Sequence, residues 1–134
     1  MKIKFIGANE LLTPKQVDVI EEYLSFLQTQ LQLSKPITIH FLSERSIPMT
    51  TGVRYKNGQI YTLAKGRLLI DIMRTIGHEW VHEFQHQKMG LKDTKDMPDI
   101  GGDAENMSNI LSGIFVKKFQ NKFPKYETLM FGED

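Results

Sequence analysis

The segment 78–82, which reads HEWVH, constrains this chain more than any other feature. Its two histidines are four residues apart, so on an α-helix they lie one turn apart on one face and can reach the same metal ion. Glu79 would then sit beside that ion, where its carboxylate can take a proton from a bound water. A random arrangement of a chain with four histidines gives roughly 0.008 matches to this pattern, so a chance occurrence is improbable. We therefore expect a helix here that carries a metal site.

Composition restricts what can complete such a site. The 134 residues, 40% hydrophobic and 25% charged, fit one ordinary globular domain. A net charge of +1 gives no electrostatic reason to expect nucleic acid or a membrane surface as partner. Because cysteine is absent, disulfides and thiolate zinc sites are excluded, and the ligands must be His, Asp or Glu. No signal peptide or membrane-spanning run is apparent, so we expect a cytoplasmic protein.

A capping box predicts the first long helix. Thr13 can cap it, Pro14 suits the first helical position, and Gln16 can return the hydrogen bond to Thr13. Apolar residues then recur at helical spacing, and we expect the helix to end near Leu33.

Short β-rich segments predict a sheet. An Asn57-Gly58 pair between two of them is a strong hairpin signal. Together with the helices, they predict an α+β domain with a three- to four-stranded, mostly antiparallel twisted sheet. The expected strands are 3–6, 37–42, 53–55 and 59–63.

A second helix, carrying HEWVH, is expected from between Arg67 and Asp71 to about residue 88. Its histidines lie on a different stripe from its apolar residues, so metal binding and core packing need not compete. Glu83 is expected on the solvated side. The expected core stripe is Ile72, Ile76, Trp80 and Phe84.

A third helix is expected from 103 to about 121, after a polar loop at 91–102. Asp103 can cap it. Two antiparallel helices joined by this loop could bring residues near the third helix's start to the paired histidines. The expected apolar side comprises Ala104, Met107, Leu111, Ile114 and Phe119.

Glu105 is the expected third ligand, since a catalytic zinc site has three protein ligands and an open position for water. Asn109 lies one turn further on the same face, where it could accept a hydrogen bond from a ligating histidine and fix its ring. Asp103 is the rival ligand, although its position also suits a helix cap.

HEWVH followed by a glutamate on the next helix resembles the zincin metallopeptidases, and within them the glutamate-ligand branch, the gluzincins. The resemblance assigns the ligand roles to His78, His82 and Glu105, and the general-base role to Glu79. The branch has an aspartate four residues after the ligating glutamate, whereas this chain has Asn109. An amide still accepts a hydrogen bond, but it lacks the charge that raises ligand basicity.

The resemblance extends to architecture. The chain is similar in length to minimal single-domain members of the group, including small peptidases carried by phages and bacteria. The family resemblance also implies that strand 59–63 is an edge strand above the site, where an extended peptide could pair. The metzincin branch fits poorly, since its glycine and third histidine correspond to Gln85 and Lys88. His86 lies about 12 Å along the helix from His78, too far to share one ion.

The expected function is therefore a zinc-dependent peptide-bond hydrolase acting on peptides or proteins. One alternative is a catalytically weak or inactive zincin-fold protein that binds metal and regulates a protein partner. Another is an interaction protein without metal. The transition-state oxyanion also needs a donor, and the sequence leaves the candidates Tyr126, Tyr61, Tyr55 and His40 unranked.

Overall fold

A computed structural model describes residues 2–45, 47–90 and 103–132. This part of the chain forms an α+β domain with five α-helices and one four-stranded mixed sheet, and the predicted loop 91–102 lies outside it. The elements in chain order are β1 (Ile3–Ile6), α1 (Ala8–Leu11), α2 (Pro14–Gln30), β2 (Ile37–Leu42), β3 (Gly52–Tyr55), β4 (Gln59–Leu63), α3 (Leu69–Lys88), α4 (Asp103–Lys122), a 3₁₀ helix (Pro124–Tyr126) and α5 (Glu127–Met130).

The start of α2 follows the predicted capping box. The Gln16 amide N–H donates to the Thr13 hydroxyl at 3.2 Å, and the Thr13 N–H donates to the Gln16 side chain at 2.9 Å. The helix ends before Leu33, at Gln30. The reason is a competing local contact, since the Gln28 side chain binds both the N–H and the carbonyl of Leu33.

The strand order is β1-β2-β4-β3. The prediction of a mostly antiparallel sheet is wrong, because β1 pairs with β2 and β2 with β4 in parallel. The chain passes through α2 between β1 and β2, and a crossover of this kind returns the second strand in the direction of the first. Only the predicted hairpin of β3 and β4 is antiparallel, with Asn57 and Gly58 at positive φ in its turn.

The mixed order also changes which strand lies at the edge. Strand β4 is flanked by β2 and β3, so the prediction that Gln59–Leu63 is an edge strand is wrong. The edge next to α3 is β3.

Helix α3 packs against the sheet, α2 and α4. Ile72, Ile76 and Trp80 are fully buried as predicted, Phe84 is partly buried, and the Trp80 indole N–H donates to the Leu31 carbonyl at 2.9 Å. No helix in the described part of the chain combines the length and apolarity that crossing a bilayer requires.

The predicted apolar side of α4 is only partly right. Phe119 is buried, but Ile114 is 42% exposed, and Met107 and Leu111 are only partly buried. Small hydroxyl residues occupy part of the interface instead, because α3 and α4 approach closely there. The buried residues of α4 are Ser108, Ser112, Phe115, Val116 and Phe119.

Candidate metal centre

Helices α3 and α4 bring the three predicted ligands together. Oε1 of Glu105 lies 2.6 Å from Nε2 of His78 and 3.0 Å from Nε2 of His82. One ligand atom from each residue lies within 4.8 Å of the other two. In the described part of the chain, this is the only group of three or more His, Cys, Asp or Glu that could hold a metal ion.

The close approach of α3 and α4 sets this geometry. An ideal Cβ on Gly77 would lie 2.9 Å from the Tyr23 hydroxyl oxygen and 3.6 Å from Cβ of Ser112. Ser108 adds a direct bond, since its hydroxyl donates to the His78 carbonyl at 2.6 Å. Gly77 thus mainly makes room for Tyr23 of α2, because 3.6 Å is an ordinary contact distance. The small side chains of Ser108 and Ser112 line the contact between α3 and α4.

The donor set fits a divalent ion. Both Nε2 atoms point at a single carboxylate oxygen, and lone pairs on nitrogen and oxygen repel unless a proton or a cation lies between them. Two neutral imidazoles and one carboxylate are also the ligand set of a catalytic zinc site, which keeps a fourth position open. A tetrahedral zinc about 2.0–2.2 Å from each atom would space its ligand atoms roughly 3.4 Å apart. The present contacts are shorter, so the three side chains would rotate slightly apart to admit the ion.

The surroundings of the His78 imidazole favour its neutral form. Burial lowers its pKa, and the nearby Glu105 charge opposes that shift. The second histidine, His82, lowers the pKa further, whereas hydrogen bonds from the His78 ring to the Glu105 and Asn109 side chains raise it, and the pKa remains below its ordinary value. A neutral imidazole is the form that binds a metal. The Asn109 side chain therefore lies near the His78 ring, on an exposed residue of α4.

His82 has an orienting partner that the sequence did not reveal. Its Nδ1 lies 2.9 Å from Oε1 of Gln85, and the Gln85 amide donates to the Ala104 carbonyl at 2.9 Å. The available signal was the position of Gln85, three residues after His82 and so on a neighbouring part of the helix surface. Ala104 could not have been identified from this spacing, because it lies on another helix.

The Glu79 side chain lies between the body of α3 and the edge strand β3. It is 7% exposed, and its Oε2 is 3.5 Å from the position that a Cβ on Gly52 would take. The same Cβ would lie 2.3 Å from the Thr75 methyl group. Gly52 therefore allows β3 to approach the helix next to the proposed base.

Two other acidic residues were considered on the sequence. Asp103 is exposed, is the first residue of α4, and is not part of the three-residue group. Glu83 is 2% exposed, so its predicted solvated position is wrong. It is buried because it accepts hydrogen bonds from Arg54 at 2.7 Å and from Gln87 at 2.6 Å.

The tyrosine and histidine candidates for an oxyanion donor point elsewhere. His40 and Tyr61 stack on each other, with ring centroids 4.1 Å apart, and Tyr55 packs edge-on against Tyr61. His40 and Tyr61 alternate with the buried residues of β2 and β4, and Tyr55 packs on Tyr61, so all three occupy the sheet face opposite α3. Tyr126 donates to Glu22 at 3.2 Å.

Arg67 supplies a cationic donor on the Glu79 side of α3. Its guanidinium donates to the hydroxyl of Thr75, one turn before Glu79, at 3.1 Å. It also donates to the carbonyls of Leu63 and Asp71. Burial lowers the pKa of Arg67, and Asp71 opposes that shift. The sequence did not single out Arg67, because its contacts depend on the path of the chain between β4 and α3.

The chain matches no protein-family model, no curated protein and no solved structure.

Proposed function

We propose that this chain is a zinc-dependent peptide-bond hydrolase of the zincin type, similar to the gluzincin branch. The observation that carries the proposal is the placement of one Glu105 oxygen within 3.0 Å of Nε2 of both His78 and His82. The motif alone supplies two ligands and a base, whereas this contact supplies the third ligand from a separate helix.

His78, His82 and Glu105 would hold the zinc ion. When bound, zinc lowers the pKa of a water molecule and polarises a carbonyl group. Gln85 and Asn109 contact the two imidazoles and limit their rotation, which favours tight and selective binding.

Glu79 is the proposed general base. It follows the first ligand directly and is nearly buried, so little bulk water competes for its carboxylate. Glu79 accepts a proton from the attacking water and then delivers it to the leaving amine.

Strand β3 is the proposed guide for an extended substrate. Among the described strands it pairs only with β4, which leaves its outer edge available for main-chain hydrogen bonds. Gly52 on this strand lies against Glu79. A peptide added along the edge would therefore pass close to the proposed base.

The second candidate is a catalytically weak metal-binding protein that regulates a partner. It is favoured by one observation, that Tyr55, Tyr61, His40 and Tyr126 all lie away from the ligand group. The nearly buried Glu79 carboxylate, directly after the first candidate ligand, favours the hydrolase, which remains our main proposal.

The zinc content of the wild-type chain and the peptide cleavage activity of the Glu79→Gln variant distinguish the two candidates. We expect one zinc ion per wild-type chain by elemental analysis after purification without chelator. Wild type should cleave a proteome-derived peptide mixture, whereas Glu79→Gln should retain zinc and lose cleavage. The matched control is Glu127→Gln, because Glu127 is exposed on α5.

Wild type that binds zinc but cleaves no peptide would favour the regulatory candidate. Wild type without stoichiometric zinc would contradict both.

A further inference from the structure

Gln85 is a buried polar residue, and both its amide oxygen and its amide nitrogen have hydrogen-bond partners. Only 1% of it is exposed, a degree of burial that is common for apolar side chains and uncommon for amides. Its oxygen lies 2.9 Å from Nδ1 of His82, and its amide nitrogen lies 2.9 Å from the Ala104 carbonyl oxygen. Burying an amide without such bonds is unfavourable, so this placement calls for a specific reason.

The Ala104 contact fixes which way the Gln85 amide points. A backbone carbonyl only accepts hydrogen bonds, so the NH₂ group of Gln85 must face Ala104. Its carbonyl oxygen then faces His82, and it can only accept there. Nδ1 of His82 must therefore carry a hydrogen, which leaves the Nε2 lone pair directed toward Glu105.

We propose that Gln85 is a positioning residue of the metal site, selecting the tautomer of His82 that presents Nε2 to the ion. The inference rests on the proposed metal site and goes beyond it, because it assigns a role to a residue outside the motif and the ligand set.

The same amide also relates the two ligand-bearing helices. Ala104 directly precedes the third ligand, Glu105, so Gln85 connects the His82 ring to the backbone beside that ligand. A shift of α4 relative to α3 would disturb both the ring and the carboxylate. Gln85 thus fixes the orientation of one ligand and the position of another.

A purely structural role for Gln85, as a tie between α3 and α4, predicts something different. It predicts lower stability when the amide is removed, with no effect on the His82 tautomer and no loss of zinc affinity in the protein that remains folded. Tautomer and affinity are therefore the discriminating measurements.

The test compares wild type with Gln85→Met and Gln85→Glu. Methionine keeps the approximate volume and removes both bonds, whereas glutamate can accept from His82 but cannot donate to Ala104. Zinc affinity is measured by competition with a chromophoric chelator, on protein shown by circular dichroism to be folded. The His82 tautomer is measured in metal-free protein from long-range ¹H–¹⁵N correlations at a pH where the ring is neutral. For this measurement Glu105 is replaced by alanine in wild type and in both variants, so that no carboxylate competes for the hydrogen at Nε2.

We expect metal-free wild type to show hydrogen on Nδ1 of His82 and Gln85→Met to show a mixture of tautomers. Removing a residue that hydrogen-bonds a metal ligand lowers metal affinity about 10- to 100-fold, and we expect this decrease for Gln85→Met. Gln85→Glu should keep the tautomer but bind zinc more weakly than wild type, because α4 loses its bond. Gln120→Met, on the same helix as Glu105 but about 22 Å further along, is the control and should match wild type.

Folded Gln85→Met with wild-type affinity, or wild type with hydrogen on Nε2, would overturn the role of Gln85 while leaving the zinc site intact. Wild type that binds no zinc would instead contradict the proposed function, and the tautomer measurement would still decide whether Gln85 orients the ring.

Discussion

Glu83, the residue after the candidate metal ligand His82, accepts a hydrogen bond from Arg54 of the edge strand at 2.7 Å. The side chains of this ion pair are 8% and 3% exposed, so it is buried. It connects α3 to β3 just beyond the ligand group, on the strand proposed to guide the substrate. The pair thus sets the separation between the HEWVH helix and the strand that faces it.

We predict that Arg54→Met lowers the free energy of unfolding by about 3–5 kcal/mol. Among the described residues, the buried Glu83 carboxylate would keep the Gln87 amide as its remaining hydrogen-bond donor. Arg54→Met/Glu83→Met should recover most of this loss, since an apolar pair of similar volume often replaces a buried ion pair without penalty. Urea unfolding with chelator present measures both variants.

The surface pair of Arg74 and Asp71 is the control for this experiment. Its side chains are 53% and 41% exposed, so Arg74→Met should change stability by less than about 1 kcal/mol. Equal losses for Arg54→Met and Arg74→Met would contradict the structural role given to the buried pair.

The second prediction concerns the third ligand. Glu105→Gln should lower zinc affinity by more than the roughly 10- to 100-fold expected for an outer partner, because it removes the carboxylate charge that both imidazoles face. Chelator competition measures the change. Asp103→Asn, which alters the rival carboxylate on the same helix turn, should bind zinc like wild type. A strong loss in Asp103→Asn with none in Glu105→Gln would exchange the assigned roles.

Features that depend on neighbours in sequence were accessible from the sequence. Thr13 and Gln16 form their capping box within one turn, and Asn57-Gly58 form the hairpin turn that their backbone preferences require. The positions of the two histidines on one helix face follow from helical geometry alone.

Features that depend on distant pairings were not accessible. Parallel pairing of β1 with β2 follows from the route through α2, which no short segment encodes. Glu83 looked solvated because its partner, Arg54, is 29 residues away. Likewise, Gln85 gains its role only from Ala104, 19 residues distant. A charged or amide side chain on a helix has no local sign of such a partner, so its burial cannot be read from helix periodicity.

The third prediction concerns the closest approach of the edge strand. Gly52→Ala places a Cβ 2.3 Å from the Thr75 methyl group and near the Glu79 carboxylate, so strand or helix must shift. We expect a loss of about 1–3 kcal/mol in stability and a lower kcat/KM. Thr75→Ser removes that methyl but keeps the hydroxyl bonded to Arg67, so it should partly rescue Gly52→Ala. Unchanged stability and activity in Gly52→Ala would show that β3 does not contact the helix here.

The fourth prediction concerns alkaline pH. Burial raises the pKa of the Tyr23 hydroxyl, and the Arg74 charge opposes that shift only in part. Above pH of about 10 the unfolded state ionises this tyrosine while the folded state keeps it neutral, so the free energy of unfolding falls as pH rises, by up to about 1.4 kcal/mol per pH unit. Tyr23→Phe should lose less stability between pH 8 and pH 11 in urea unfolding. The other three tyrosines are present in both proteins and cancel in the comparison. Parallel pH profiles for the two proteins would contradict the buried, neutral state of Tyr23.

The last prediction joins Tyr23 to Gly77 beneath the candidate metal ligands. Alanine favours a helix over glycine by about 1 kcal/mol, yet a Cβ on Gly77 would lie 2.9 Å from the Tyr23 hydroxyl oxygen, and the ring is fully buried. We therefore expect Gly77→Ala to lower stability by about 1–2 kcal/mol and to weaken zinc binding, because His78 follows directly. The Tyr23 hydroxyl has no hydrogen-bond partner among the described residues, so Tyr23→Phe removes the clash without removing a bond. The double variant should be at least as stable as wild type, a non-additive result that thermal unfolding can measure. Gly113→Ala, at an open position on α4 with nothing within 4 Å, is the control and should stabilise the protein. Additive effects of the two substitutions would show that the hydroxyl does not limit how closely α3 packs at Gly77.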